Sequence, residues 1–181
     1  VKARNGRTRG NSESAGTSDL VRLHADRVFR FLAGLVRDRD TAADLTQETF
    51  LKLHRLVQRG ERSDLSVAYV FTVARNTALS YFRRRTVERK HLENAAVEAQ
   101  AETTEDPHRA LERAQLRESV RSAVAELPEE LRTVFLLSEI EGLAYAEIGR
   151  IVGCPEGTVA SRKHHAVRRL RETLRRLGHA L

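Results

Sequence analysis

The sequence predicts an all-α protein: two small helical domains joined by a flexible linker, the C-terminal one containing a helix-turn-helix. Three observations lead there. Apolar residues recur at steps of three and four along most of the chain, with little strand-like alternation. Three prolines and ten glycines in 181 residues leave long uninterrupted stretches. One segment breaks the pattern: "ENAAVEAQAETTEDP" is rich in Ala, Glu and Thr, carries few large apolar residues and ends in Pro107. Such a composition buries too little to pack. The expected organisation is a disordered basic arm at 1–18, a helical lobe at 19–89, an acidic linker at 90–108 and a second helical lobe at 109–181.

Each element has its own local reason. "VKARNGRTRGNSESAGTSD" is basic and polar with no apolar h-region, so it reads as a solvated arm rather than a secretory signal. "DLVRLHADRVFRFLAGLVRD" sets Leu20, Leu23, Val28, Phe31, Leu32 and Leu35 near one stripe. "TAADLTQETFLKLHRLVQRG" repeats the pattern with Leu45, Phe50, Leu53 and Leu56; Thr41 is the expected N-cap and Gly60 the stop. "VAYVFTVARNTALSYFRRR" runs helically to an Arg triplet, 83–85, with Phe71 and Phe82 expected in the core. After the linker, "PHRALERAQLRESVRSAVAEL" spaces Leu111, Ala114, Leu116, Val120 and Val124 on an apolar face. Pro128 opens the next helix, where a missing N–H does no harm; Leu131, Val134, Phe135 and Leu137 form its buried side. Tyr145 begins a short helix that Gly153 should cap.

Beyond that cap lies the most basic part of the chain: "GCPEGTVASRKHHAVRRLRETLRRL". A short helix, a Gly-containing turn and a longer helix make a helix-turn-helix signature. Pro155 suits the turn, and Gly157 would permit an unusual dihedral there. Val159, Ala166, Leu170 and Leu174 are spaced to face inward. Thr158, Ala160, Ser161, Arg162, His164 and His165 lie in the first part of the helix, where such helices read major-groove edges. Arg168, Arg169, Arg171, Arg175 and Arg176 extend the charge toward phosphates. The two adjacent histidines point about 100° apart on a helix, which suits no shared metal.

Composition agrees with a polyanionic partner. The formal net charge is +7 and the isoelectric point about 10.3, and the cations are mostly Arg, whose planar fork grips phosphates and guanine edges. The single cysteine, Cys154, excludes an internal disulfide and a CxxC metal site. No stretch approaches the ~18 apolar residues that would cross a bilayer. The chain is therefore expected in the cytoplasm, without membrane insertion. It shows no Walker loop, no HExxH and no Ser/His/Asp or Cys/His constellation; neither enzymatic activity nor a cofactor or metal is expected.

Three ordered segments resemble the bacterial RNA polymerase sigma factors, and the compact two-lobe layout resembles their extracytoplasmic-function (ECF) group. "DRDTAADLTQETFLKLHR" looks like the segment that binds core polymerase, "AYVFTVARNTALSYFRRR" like the promoter-melting segment, and "LPEELRTVFLLSEIEGLAYAEIGRIVGCPEGTVASRKHHAVRRLRETL" like the second DNA-binding domain. The resemblance covers residues 19–177 apart from the linker. It implies that Asp44, Leu45, Gln47 and Glu48 bind the clamp helices of the polymerase largest subunit, with the flap as a further contact. It implies that Arg62, Ser63, Tyr69, Arg75, Asn76, Tyr81, Arg83 and Arg84 meet the minus-ten DNA. Cations, an amide and aromatics together suit a single strand, and a base flipped from the stack costs a few kcal/mol that binding must offset. It places Tyr145, Thr158, Ala160, Ser161, Arg162, His164, His165 and Arg168 on the minus-thirty-five duplex. It also implies an anti-sigma factor and an acidic linker threading toward the RNA exit path.

The chain departs from the family pattern at several points. Tyr69 stands where Trp is usual and Ser80 where Asp is common. In the recognition helix, Ala160 and Val167 replace basic residues, His165 replaces Arg, and Lys163 takes an apolar position, where its stem would have to snorkel. Two other readings fit parts of the sequence. A conventional helix-turn-helix regulator would bind specific DNA without polymerase, and charge reversal at 44–48 would leave it unaffected. A cytosolic all-α enzyme would be indifferent to nucleic acid.

Overall fold

In a computed structural model of the chain the described residues are 9–61, 65–89 and 107–179, with side chains described for 21–61, 65–86 and 115–179. Among the described residues seven α-helices carry the fold: α1 (Arg9–Val36), α2 (Arg39–Gln58), α3 (Val67–Arg89), α4 (Pro107–Glu126), α5 (Glu129–Phe135), α6 (Tyr145–Val152) and α7 (Glu156–Arg176). A π turn, Leu136–Ile140, continues α5. No strand occurs among the described residues.

Helix α1 starts inside the segment expected as an arm. No proline interrupts that segment, and a helix already nucleated by packing extends at low cost, one hydrogen bond per residue fixed. Of the linker, only Pro107 and His108 lie within the described residues, in the first turn of α4.

The N-terminal lobe packs α1, α2 and α3 around Val28, Phe31, Leu32, Leu35, Leu45, Leu53, Val70 and Phe71, all buried. Phe31 and Phe71 meet edge to face at 5.4 Å, a favoured geometry for rings with a negative face and positive edge. Leu23, expected on this stripe, is 67% exposed: the groove that α1 shares with α2 is lined by Val21 and Ala25 instead. The α1–α2 junction is tight. Arg37 adopts φ 68°, the left-handed conformation, and its N–H donates to the Ala33 carbonyl at 3.1 Å. The N-cap of α2 is Asp38 rather than Thr41: its carboxylate accepts the Thr41 backbone N–H at 2.7 Å. The helix begins three residues earlier than expected, because Asp38 is already extended (φ −122°, ψ 126°) as a cap must be.

In the C-terminal lobe α4, α5, α6 and α7 enclose Ala123, Val124, Leu127, Val134, Leu137, Ile148, Val159, Ala166, Leu170 and Leu174. Among the described side chains of α4 burial begins at Ala123, so Leu116 and Val120, expected inside, are exposed at 43% and 39%. The π turn is defined by the Glu141 N–H reaching the Leu136 carbonyl five residues back, at 3.1 Å.

The lobes touch. Buried side chains from both form one apolar cluster. Gly34 on α1 faces Leu136: a Cβ there would sit 2.7 Å from Leu136 Cδ2. Arg132 binds α1 to the second lobe, donating from Nη1 to the Leu35 carbonyl at 2.8 Å and from Nη2 to the Ala125 and Leu127 carbonyls at 2.6 and 2.8 Å. The Leu35 and Ala125 carbonyls lie in the last turns of α1 and α4, without an intrahelical donor, and the Leu127 carbonyl lies in the connection to α5. Burial, and then the neighbouring Arg37 charge, push the Arg132 pKa downward, against an upward pull from Glu129.

Candidate nucleic-acid interface

Helices α6 and α7 form the helix-turn-helix. Gly153 ends α6 at φ 75°, ψ 39°, a conformation that costs a side-chain-bearing residue energy and glycine nothing. Its N–H and that of Cys154 both donate to the Gly149 carbonyl, at 2.8 and 3.0 Å. Gly149 carries a second demand, not legible in the sequence. A Cβ on it would lie 2.7 Å from the Cys154 carbonyl oxygen. Gly157 needs no special dihedral; it sits in the first turn of α7 without a positive φ. Pro155 occupies the α7 N-cap, and its carbonyl accepts from Thr158 and Val159 at 2.9 and 3.1 Å.

This turn projects α7 with one face buried. Val159, Ala166, Leu170, Thr173 and Leu174 are inside, as the spacing predicts. On the outer side Ser161, His164, His165 and Arg168 are exposed, with Thr158, Ala160 and Val167 half-buried beside them. His164 and His165 meet edge to face at 6.0 Å, and an Arg168 Nη2 lies 3.4 Å from His165 Nδ1. Arg169, Arg171, Arg175 and Arg176 are exposed further along.

Two cations at the head of α7 are drawn inward instead. Arg162 Nη2 pairs with Glu130 at 2.6 Å, and its Nη1 lies 3.8 Å from Cys154 Sγ. Lys163 does not merely snorkel: its ammonium pairs with Glu139 at 2.7 Å and lies 5.7 Å from the Tyr145 ring centroid. Hydrogen bonds that Lys163 donates to Glu139 and then Tyr145 hold its pKa above the usual lysine value. Tyr145, half-buried, therefore belongs to a three-residue cluster at the start of α6.

In the N-terminal lobe the other predicted residues fall on two adjoining faces. Asp44 and Gln47 are exposed on α2 and Glu48 is half-buried, whereas Leu45 is 3% exposed and supports the face from beneath. Beside Gln47 an apolar groove of about 500 Å³ opens between α1 and α2, lined by Val21, Ala25, Phe29, Phe50, Leu51 and His54 among others. On α3, Tyr69, Asn76 and Arg83 recur every seven residues, nearly two helical turns, and so share a stripe. Asn76 and Arg83 are exposed and Tyr69 half-buried. Tyr81 accepts from Arg85 Nη1 at 2.8 Å.

The two faces are wired together. Glu48 pairs with Lys52 at 2.7 Å and with Arg84 at 3.7 Å, and Lys52 also donates to the Thr77 hydroxyl at 3.1 Å. Sequence reasoning missed Lys52; only its i,i+4 position after Glu48 pointed to it. Arg75 stands apart from the stripe: its side chain is 18% exposed and lies 3.8 Å from Glu129 on α5. Arg62 and Ser63 lie outside the described residues.

The arrangement is that of a helical nucleic-acid-binding protein with two separate basic faces, one on each lobe. Comparison with known proteins specifies it further. Residues 20–87 match the family Sigma-70 region 2, and residues 117–170 match Sigma-70, region 4. The ECF RNA polymerase sigma factor SigE of Mycolicibacterium smegmatis is 35% identical over 158 residues, which are 86% of this chain and 60% of that protein. The ECF RNA polymerase sigma factor SigL of Mycobacterium tuberculosis is 32% identical over 171 residues, 92% of this chain and 93% of that one. Among solved structures, the sigma factor RpoE in complex with the anti-sigma factor NepR, from Bartonella quintana, superposes with a TM-score of 0.68 at 25% identity, covering 87% of this chain and 96% of that one. The chain belongs to the ECF group of RNA polymerase sigma factors. Among the described residues no helix is long and apolar enough to cross a membrane.

Proposed function

We propose that this chain binds core RNA polymerase through α2 and directs it to a small set of promoters. The observation that carries the reading is the presence, on one chain and in family order, of both matched regions, each presenting an exposed polar face. Asp44, Gln47 and Glu48 supply the polar part of the polymerase contact, and the apolar groove beside Gln47 supplies adjoining area. The α3 stripe of Tyr69, Asn76 and Arg83, with Arg75, Tyr81 and Arg84, takes the minus-ten strand: cations for the backbone, flat rings for bases, an amide for edges. Helix α7 enters the minus-thirty-five major groove. Ser161, His164, His165 and Arg168 are its outermost groups there, with Thr158 and Ala160 lining the approach. The protein works in the cytoplasm and performs no covalent chemistry; polymerase does. An anti-sigma factor restrains it, as NepR is bound to RpoE.

Run-off transcription tests this. Purified core polymerase is assayed with and without the chain, on DNA from upstream of its own gene. The expected outcome is a new discrete transcript that disappears when Gln47 and Glu48 are replaced by Lys. Specific duplex binding without polymerase, with no co-elution with core, would support a conventional regulator instead.

A further inference from the structure

We propose that Lys163 is a positioning residue for duplex binding: anchored by Glu139, its ammonium occupies one lone pair of the Tyr145 hydroxyl and turns the phenolic O–H outward, as a donor to a backbone phosphate of the minus-thirty-five duplex. The inference rests on the reading of α6 and α7 as the duplex-binding pair.

Lys163 faces away from the side of α7 that would enter a groove. It lies four residues after Val159, three before Ala166 and seven before Leu170, so it shares the stripe whose other members are buried. Ser161, His164, His165 and Arg168 lie on the opposite side. The Lys163 side chain is 30% exposed, and its ammonium emerges 2.7 Å from Glu139 Oε1 on the π turn. Stability does not account for a lysine here. An apolar side chain on that stripe would gain burial that an ammonium forgoes. The ion pair contributes little, because Glu139 is 41% exposed and water screens such pairs.

The ammonium has a second partner. Tyr145 opens α6, half-buried, and the Lys163 nitrogen lies 5.7 Å from its ring centroid. Lys163 donates to the phenolic oxygen as well as to Glu139. A phenol offers one O–H and acceptor lone pairs, while an ammonium has donors only. Lys163 can therefore fill only a lone pair, and the O–H is left to point elsewhere. A hydroxyl whose oxygen already accepts from a cation is polarised into a stronger donor. In a helix-turn-helix the first helix crosses the phosphate backbone, whose oxygens accept hydrogen bonds from side chains of this kind. The chain Glu139–Lys163–Tyr145 thus runs from the π turn, under α7, to the place where α6 would meet a phosphate.

The test uses the full chain assembled with core polymerase, on DNA from upstream of its own gene, kept cold so that the duplex stays shut. Affinity is measured across a salt series. Lys163→Met keeps the length and suits the apolar stripe, so its melting temperature should not fall below that of wild type. Binding should weaken all the same. Tyr145→Phe should weaken it about tenfold, but in the Lys163→Met background the same exchange should cost at most about twofold. Lys163→Arg, which keeps charge and donors, should recover most of the affinity. Neither Lys163→Met nor Tyr145→Phe should change the slope of log affinity against log salt, because neither removes a charge from a phosphate. Arg168→Ala is the control and should flatten that slope by about 0.9. Lys163→Leu replaces the Met variant if that one does not fold. Additive losses at 145 and 163 would overturn the positioning role. A slope flattened by about 0.9 in Lys163→Met would also overturn it, by making Lys163 a phosphate contact itself. Wild-type binding by Lys163→Met beside a weakened Arg168→Ala would end the proposal and spare the reading of α7. Binding unchanged in every variant, Arg168→Ala included, would refute the reading of α6 and α7, and the proposal with it.

Discussion

Asp38 shows how much one side chain can settle at a helix start. Hydrogen bonds from Thr41, from its side chain and then its backbone N–H, hold the Asp38 carboxyl below the usual carboxylate pKa, with Arg85 adding to the effect. A depressed folded-state pKa means stability that is present above the unfolded value and lost as pH falls through the folded one. Asp38→Ala should therefore cost about 1 kcal/mol at neutral pH. Thermal melts at a series of pH values should show the gap between wild type and variant narrowing below about pH 4. His24 acts in the same direction at higher pH. Burial, then the Arg27 charge, lower its pKa, so protonating it as pH falls below about 6.5 opposes folding. At position 37 the chain accepts a left-handed arginine where glycine would be unstrained.

Among the elements, the helix-turn-helix was the most legible. Its inward residues recur at a helical period, and each of Val159, Ala166, Leu170 and Leu174 is buried. Gly153 caps α6 because a left-handed cap has a sequence signature. Gly149 had none, because its constraint is the approach of the Cys154 carbonyl, a matter of chain path. Gly149→Ala should force the turn open against backbone rather than a yielding side chain. The expected loss is about 1–3 kcal/mol, with weaker duplex binding, read by denaturant unfolding and by gel shift on a promoter fragment that gives a run-off transcript. The pairing of Arg162 and Lys163 was equally hidden. Their partners Glu130 and Glu139 sit on α5 and the π turn, and periodicity names a face without naming what covers it. The same limit explains Leu116 and Val120: they share a face with Val124, but along the described side chains of α4 burial begins only at Ala123.

At the scale of the molecule, the sequence disclosed two helical lobes and their order, while the way they meet had no local sign. Arg27 and Glu141 are 114 positions apart, and no period connects them. Arg132 is the clearest case, a single guanidinium serving carbonyls of α1, of α4 and of the connection to α5. Arg132→Ala would strand those acceptors in a buried place. A cost of about 3 kcal/mol is expected from the loss of charged hydrogen bonds, seen as a lower urea midpoint with helical content at low denaturant preserved. Arg132→Lys should recover only part, since an ammonium cannot reproduce the planar fork.

The π turn at Leu136–Ile140 gives the chain an unusual tolerance of length changes. Such a turn holds one residue more than the α-helix around it. In ordinary helix the loss of one residue would swing the downstream chain by about 100°. Deleting one residue between Leu136 and Ile140 would instead let the segment relax into ordinary helix, so that Glu141, α6 and α7 keep their directions. A descendant that lost one codon there would keep both the residues proposed to meet DNA and the grip between its halves.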